Sequence, residues 1–202
     1  PTEHRDDDGY YVDDSFTFAR PSRAIVSDDI DILKGVYRPL ADDAFVLFIT
    51  ADPVEFRMQG TATGSDSLFM GVAPTAAVVG YLDGVAHDEI AAFERHEESK
   101  EILDVRYTPH DGACMPDAPG TETFWVASVE GTGPQTLDWT LEPGDWTAVM
   151  MNADASSGVE AEVAFGAAPQ SDIESISRIG STAALLALVG GAALAIYGLV
   201  RR

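Results

Sequence analysis

Cysteine is almost absent. Cys114 is the sole one in 202 residues, so no internal disulfide can form. The fold has to rest on packing and backbone ladders alone. Basic residues are scarce too. Lys34 and Lys100 are the only lysines, and with ten arginines they stand against 34 Asp and Glu, for a formal net charge of −22. Such a surface repels nucleic acid and anionic lipid head groups, which argues against a nucleic-acid partner. It would attract cations or basic partners, but plain solubility or adaptation to a salty medium is the favoured explanation. No signal peptide is visible. A leader or first membrane helix is therefore expected upstream of Pro1, removed or not included.

One long stretch also lacks charge altogether. Ile179 to Val200, IGSTAALLALVGGAALAIYGLV, holds no ionisable side chain except Tyr197. As a helix its 22 residues rise about 33 Å, enough to cross a hydrocarbon core of about 30 Å. Arg178 precedes it, and Arg201 and Arg202 follow. Those two arginines favour the cytoplasmic side, and Tyr197 suits the interface beside them. All 34 acidic residues precede Arg178 with nine basic ones, a net of −25, so that body is expected outside the cell. Ala183, Ala187, Gly191 and Ala195 recur at every fourth position. That ribbon allows close approach of another helix, or simply faces lipid.

The domain division follows. Residues 1–15 form an acidic N-terminal segment, and 16–168 an extracytoplasmic domain large enough for a proper core. Residues 169–178 are a juxtamembrane linker, 179–200 the transmembrane helix and 201–202 a cytoplasmic end.

Within the body the apolar period is mostly two. Ala44 to Thr50 is a continuous apolar run of strand length. Val54, Phe56 and Met58 alternate with Glu55 and Arg57, and Asp52-Pro53 before them suggests an antiparallel hairpin. Gly60 to Ser67 reads as a loop, and Leu68 to Val72 as a strand. From Pro74 to Gly84 the period changes to helical, with Ala77, Val78, Tyr81 and Leu82 on one face. Leu103, Val105 and Tyr107 alternate again. Four strands are then expected over Thr123–Ser128, Gln135–Leu141, Asp145–Asn152 and Val159–Phe165. Short turn-rich links between them suggest an antiparallel meander. Leu137, Trp139 and Leu141 share one face, as do Trp146, Ala148 and Met150. Two such faces packed together make a sandwich. The fold class is thus mainly β: an antiparallel β-sandwich-like domain with one short helix, plus a single C-terminal transmembrane helix.

Candidate chemistry is thin. Asp6-Asp7-Asp8-Gly9 opens like a calcium loop but lacks the later ligands, so the segment reads as a solvated lead-in. His87-Asp88-Glu89 are adjacent, and neighbours on a regular element point apart. His110, Asp111 and Cys114 share a loop, yet nearness in sequence does not align a thiolate with a base. Trp125, Trp139 and Trp146 form either a glycan platform or core, and core is the default. No catalytic, cofactor or metal residue is assigned.

Several runs are more distinctive: FWVAS from Phe124, QTLDW from Gln135, GDWTAVMMNAD from Gly144, and MGVAPTAAVVGYLDGVAHDEI from Met70 to Ile90. The likeness they carry extends over about half the chain. Together they resemble a family of actinobacterial membrane proteins of unassigned function. The resemblance implies an extracytoplasmic β-rich domain between an amino-terminal and a carboxy-terminal membrane helix. It carries over no catalytic residues.

The expected function is therefore a non-enzymatic, membrane-anchored accessory or structural subunit of a larger cell-envelope assembly. Its partners are the lipid bilayer and other membrane subunits met through the C-terminal helix. The alternative is an extracytoplasmic ligand-binding module for glycan, lipid or cation. An enzyme requires His87, His110 or Cys114 to converge with a carboxylate in a cleft.

Overall fold

The computed structural model describes residues 4–5, 8–12, 15–28, 30–34, 46–49, 54–63, 67–95 and 102–169. In chain order these residues form β1 (His4–Arg5), β2 (Tyr11–Val12), β3 (Phe16–Arg20), β4 (Ala24–Ser27), β5 (Ile30–Lys34) and β6 (Val46–Ile49). Next come β7 (Val54–Ala62), β8 (Leu68–Pro74), helix α1 (Thr75–Tyr81), β9 (His87–Arg95) and β10 (Ile102–His110). The last four are β11 (Ala127–Gly131), β12 (Gln135–Thr140), β13 (Gly144–Asn152) and β14 (Val159–Pro169). The described residues are mainly β with one short α-helix, as their apolar periods imply.

The strands make two sheets. In the first, β7 lies between β12 and β14. The far edge of β14 carries β3 along its first half and β2 near its end, with β1 beyond β2. Every pair is antiparallel. In the second, β13 is central. One edge of β13 pairs with β8, and β11 lies outside β8. Its other edge pairs first with β5 and then with β4. Beyond β4 lie β9 and β10, and beyond β5 lies β6.

Several expectations need correction. The second sheet is mixed, because β4–β9 and β5–β6 are parallel. A parallel pair needs a long connection, and some 60 residues separate β4 from β9. The Ala44–Met58 hairpin does not form: β6 pairs with β5 in one sheet, while β7 belongs to the other. The terminal strands are no meander either. β11 and β13 lie in the second sheet, β12 and β14 in the first. The turn residues mark where the chain reverses, but each return crosses the roughly 10 Å between stacked sheets instead of pairing with its neighbour. Finally, β7 runs on through Gly60–Ala62, expected as loop, and the strand expected at Thr123–Ser128 begins only at Ala127.

Burial explains the arrangement. Phe18, Phe56, Met58, Leu137, Trp139, Val159, Ala161, Val163 and Phe165 from the first sheet share one buried cluster with residues of the second. Those residues are Ile25, Leu68, Met70, Val72, Ile90, Trp146, Ala148 and Met150. On β14 the alternate residues Glu160 and Glu162 are exposed, so the outer face of the first sheet is wet. The second sheet has no wet face at its centre. Every residue from Trp146 to Asn152 is buried. Val149 and Met151 point away from the first cluster into another, with Ala24, Val26, Ala73, Val78, Leu82 and Val85. Helix α1 closes that side, together with half-buried Tyr81, Phe124 and Trp125.

All three tryptophans have packing roles. The Trp139 and Trp146 rings meet edge to face at 5.1 Å between the sheets, worth about 1 kcal/mol beyond their buried area. Trp146 donates its indole N–H to the Glu142 carbonyl at 2.8 Å. Trp125 lies 5.0 Å from Phe69 and donates to the Pro119 carbonyl at 2.9 Å. A Cβ at Gly71 would stand 2.8 Å from the Trp125 ring, so glycine is what lets that ring lie on the sheet.

Polar groups tie the layers. The edge of β13 changes partner between β5 and β4 near Ala148, whose N–H donates instead to the Ser27 hydroxyl at 3.0 Å. Arg20 of β3 reaches from the first sheet to Asp88 of β9 at 2.7 Å and lies over the Tyr107 ring. Asp88 is buried. Burial pushes its carboxyl up, but hydrogen bonds from Arg20 and Ser22 outweigh this and hold it below its ordinary value of 3.8. The segment read as a solvated lead-in also joins the first sheet. Tyr10 is buried, its hydroxyl donates to Glu55 at 2.7 Å, and the Arg57 guanidinium covers its ring. Burial and the Glu55 bond raise the Tyr10 hydroxyl well above its usual range. Arg57 also forks onto Asp138 at 2.7 and 3.0 Å and touches Asp8 at 3.0 Å.

No helix among the described residues is long and apolar enough to cross a membrane. The stretch from 179 to 200 lies outside them.

Two consequences are measurable. Phe18 is fully buried and meets Phe165 edge to face at 6.3 Å. Phe18→Ala should lower unfolding free energy by about 3–5 kcal/mol in denaturant melts. Asp88→Asn removes a charged partner from Arg20 and should cost about 2 kcal/mol at neutral pH. Because the folded value of Asp88 is depressed, its contribution is complete above about pH 4 and is lost as pH falls through the lowered value. Native and Asp88→Asn stabilities should therefore converge in acid and differ by a constant amount above about pH 4.

Candidate functional site

The chemistry gathers in a cleft beside α1, on the side of the second sheet away from the first sheet. Strand β9 supplies two of its groups by simple alternation. His87 and Glu89 point into the cleft, and Asp88 between them points to the opposite face and Arg20. The antiparallel register of β10 sets His110 directly opposite His87 and Thr108 opposite Glu89. The two imidazoles stack with ring centres 4.5 Å apart and planes 3° from parallel. His110 Nε2 lies 3.3 Å from Glu89 Oε2, the diagonal contact of the same strand pair.

Hydrogen bonding fixes one tautomer. His87 Nδ1 lies 2.8 Å from the Val85 carbonyl, which can only accept. Nδ1 therefore carries the proton, and in the neutral ring Nε2 is left as an acceptor.

Around this pair the cleft holds about 390 Å³. Its carboxylates are Asp28, Asp83, Glu89 and Asp111, and among the described residues no lysine or arginine lines it. Val26, Val78, Val79, Leu82 and Val85 form an apolar wall. Val79 on α1 is 66% exposed, which is unusual for a large apolar residue on a packed helix. Thr75 and Thr147, also lining the cleft, hydrogen-bond each other through their hydroxyls at 3.0 Å.

Backbone geometry builds the rim. Leu82 N–H returns to the Val78 carbonyl, and Gly84 takes φ +70 to end the helical turn. The chain after β10 then docks on this corner. Cys114 N–H donates to the Gly84 carbonyl at 2.9 Å, and Val85 and Cys114 form an isolated parallel bridge. The docking is tight enough to require glycine at 112: a Cβ there would fall 2.3 Å from the Gly84 oxygen and 2.4 Å from the Val85 carbonyl carbon.

The imidazoles and carboxylates can exchange a proton or hold a cation. His110 and Glu89 form a ready proton pair. Of the residues weighed from sequence, His87 and His110 are brought together across 23 positions, with His110 on a strand and not in a loop. Cys114 is exposed, and no hydrogen bond joins its thiol to either histidine among the described residues. Asp8 of the acidic run pairs with Arg57. Among the described residues no group of three or more His, Cys, Asp or Glu has metal-holding geometry. Glu89 belongs to the His87-Asp88-Glu89 run set aside from sequence, and Asp28 and Asp83 carried no expected role in a site. The period-two placement of His87 and Glu89 is the one signal that pointed to a shared face. Arg178, Ala183, Ala187, Gly191, Ala195, Arg201 and Arg202 lie outside the described residues.

No protein-family model matches the chain, and no curated protein sequence matches it. The function has to be argued from the fold, the cleft and the charge pattern.

The rim gives its own test. Gly112→Ala should push residues 111–114 off the corner at a cost of about 1–3 kcal/mol. Amide exchange at Cys114 should accelerate markedly, while the amides paired between β13 and β8 keep their relative protection.

Proposed function

We propose that this protein is a non-enzymatic, membrane-anchored accessory subunit of a cell-envelope assembly, with its strand-built head outside the cell. The observation that carries the reading is the 22-residue uncharged run from Ile179 to Val200, which nine residues separate from the end of β14 at Pro169. A run of that length without charge is costly in water and stable across a bilayer. Arg201 and Arg202 orient it by the positive-inside rule, and the −25 body before Arg178 takes the other side.

The head suits a scaffold. Both faces of β13 are buried, and Arg20–Asp88 ties the sheets, so the domain is a firm platform. Its acidic exterior favours basic or cationic surfaces on a neighbour. Within the bilayer, Ala183, Ala187, Gly191 and Ala195 offer a groove of small side chains to a partner helix. This architecture agrees with the actinobacterial membrane proteins that the sequence resembles. A second reading, a ligand-binding module, is favoured by one feature, the cleft between α1 and the His87–His110 pair.

Membrane fractionation tests the anchor. The full chain should resist alkaline carbonate extraction, and release into the soluble fraction would refute the anchored reading. Native purification in mild detergent tests the partner. Ala187→Leu with Gly191→Leu should abolish co-purification of other membrane subunits while leaving the chain in the membrane. Unchanged co-purification would remove the helix-packing argument.

A further inference from the structure

We propose that the head faces the bilayer with the end that carries the β12–β13 link, and that the His87–His110 pair lies at the opposite end, turned to water. This deepens the anchored reading and rests on it.

Strand register fixes the two ends. β14 finishes at Pro169 opposite Val54, and the next residue of β7, Glu55, pairs with both Ala168 and Thr140. β12 therefore ends at the level where β14 ends. The Trp139–Trp146 contact carries that level across to the second sheet. There Trp146 pairs with Pro74 and donates to the Glu142 carbonyl. Pro169, Thr140, Glu142 and Pro74 thus share one end of the head.

Backbone bonds tie the other end together. β13 stops at Asn152, and β14 starts at Val159 opposite Arg20. Gly158 N–H donates to the Ser22 carbonyl at 2.9 Å, and Arg23 N–H to the Ala86 carbonyl at 3.0 Å. The Arg23 guanidinium donates to the Ala155 carbonyl at 2.9 Å. His87 follows Ala86 and pairs with Ala24, whose other neighbour is Met151 near the end of β13. His110 lies opposite His87. The imidazoles therefore sit with the β13–β14 turn, away from Pro169.

Length decides which end meets the membrane. The 11 residues of β14 hold the two ends about 33 Å apart. Residues 170–178 separate Pro169 from the uncharged run, and nine residues span at most about 32 Å whatever their conformation. In an inverted head, Pro169 would stand about 33 Å above the lipid surface. The tether would also have to cross a head-group layer of about 5–7 Å to reach the hydrocarbon. The required span of about 40 Å exceeds its reach. A head lying on the first sheet would press exposed Glu160 and Glu162 onto the head groups, which anionic lipids oppose.

Orientation bears on what can reach the cleft. Its histidine end is held about 30 Å from the point where the chain leaves the head for the bilayer. A molecule that reaches His87 and His110 arrives from water or on another protein, and a lipid seated in the bilayer does not.

The full 202-residue chain, reconstituted into phosphatidylcholine vesicles that carry rhodamine head-group lipids, tests the orientation. In a Cys114→Ala background, donor dyes are placed on two pairs of exposed positions. Glu142→Cys and Ser157→Cys report the turns, and Thr140→Cys and Glu160→Cys the strands, each checked for native circular dichroism. Energy transfer to the lipid acceptors gives the height of each dye. Those at 142 and 140 should lie about 20–30 Å closer to the surface than their partners at 157 and 160. Equal heights, the reverse order, or a gradient in only one pair, in chains that float with the vesicles, would overturn the orientation and leave the anchor standing. Chains that fail to float would overturn both.

Discussion

Strand β13 is buried on both faces from Trp146 to Asn152, and the rest of the head is arranged to satisfy that burial. Trp146, Ala148 and Met150 need apolar cover on one side, and Val149 and Met151 need it on the other. A strand in a two-layer sandwich normally has one wet face. Here the first sheet supplies one cover, and α1 with Phe124 and Trp125 supplies the other. The second cover stops short. Beside α1, over β9 and the end of β10, no apolar cover comes from the described residues, and the sheet face carries His87, Glu89 and His110. The cleft is thus a by-product of a third layer that covers only part of a sheet.

This three-layer demand also explains where the expected topology departs from the observed one. The alternation of Leu137 with Trp139, and of Trp146 with Ala148 and Met150, correctly identifies two faces that meet. It does not reveal that Thr147, Val149 and Met151 are buried too. The run DWTAVMMN carries that information as continuous apolarity after Trp146, a pattern that suits strands covered on both faces. The turns after β11, β12 and β13 are placed nearly as expected, but each carries the chain to the opposite sheet. A Gly- or Pro-containing link fixes that the backbone reverses. Whether the return pairs beside its predecessor or crosses to the other layer depends on which edge is free, and that is a property of the assembled sheets.

The polar features show the same division. Arg20 and Asp88 are 68 positions apart, and their side chains meet only because β3 and β9 lie in facing sheets. Tyr10, Glu55, Arg57 and Asp138, also distant in sequence, meet within the first sheet and build a part-exposed network on its outer face. Asp88 between His87 and Glu89 is the clearest case. In sequence the three form one acidic–imidazole cluster. In the fold the pleat sends Asp88 to a structural ion pair and its two neighbours to the cleft. Adjacent residues separate, and His110, distant in sequence, becomes the neighbour of His87.

The sequence by itself determined the periods, the charge and the lone cysteine. From these follow a mainly β head with one helix, a surface of strongly negative sign and a fold without disulfides. The uncharged run from 179 to 200 and its flanking arginines are equally plain in the letters, and the anchored reading rests on them. These properties are legible because they depend on side chains within a few positions of one another. Only the tertiary structure decided which strands pair, that two pairs run parallel, and that His87 stacks on His110. Strand pairing is a competition among distant edges, won through shared burial, and no local window of sequence contains both competitors.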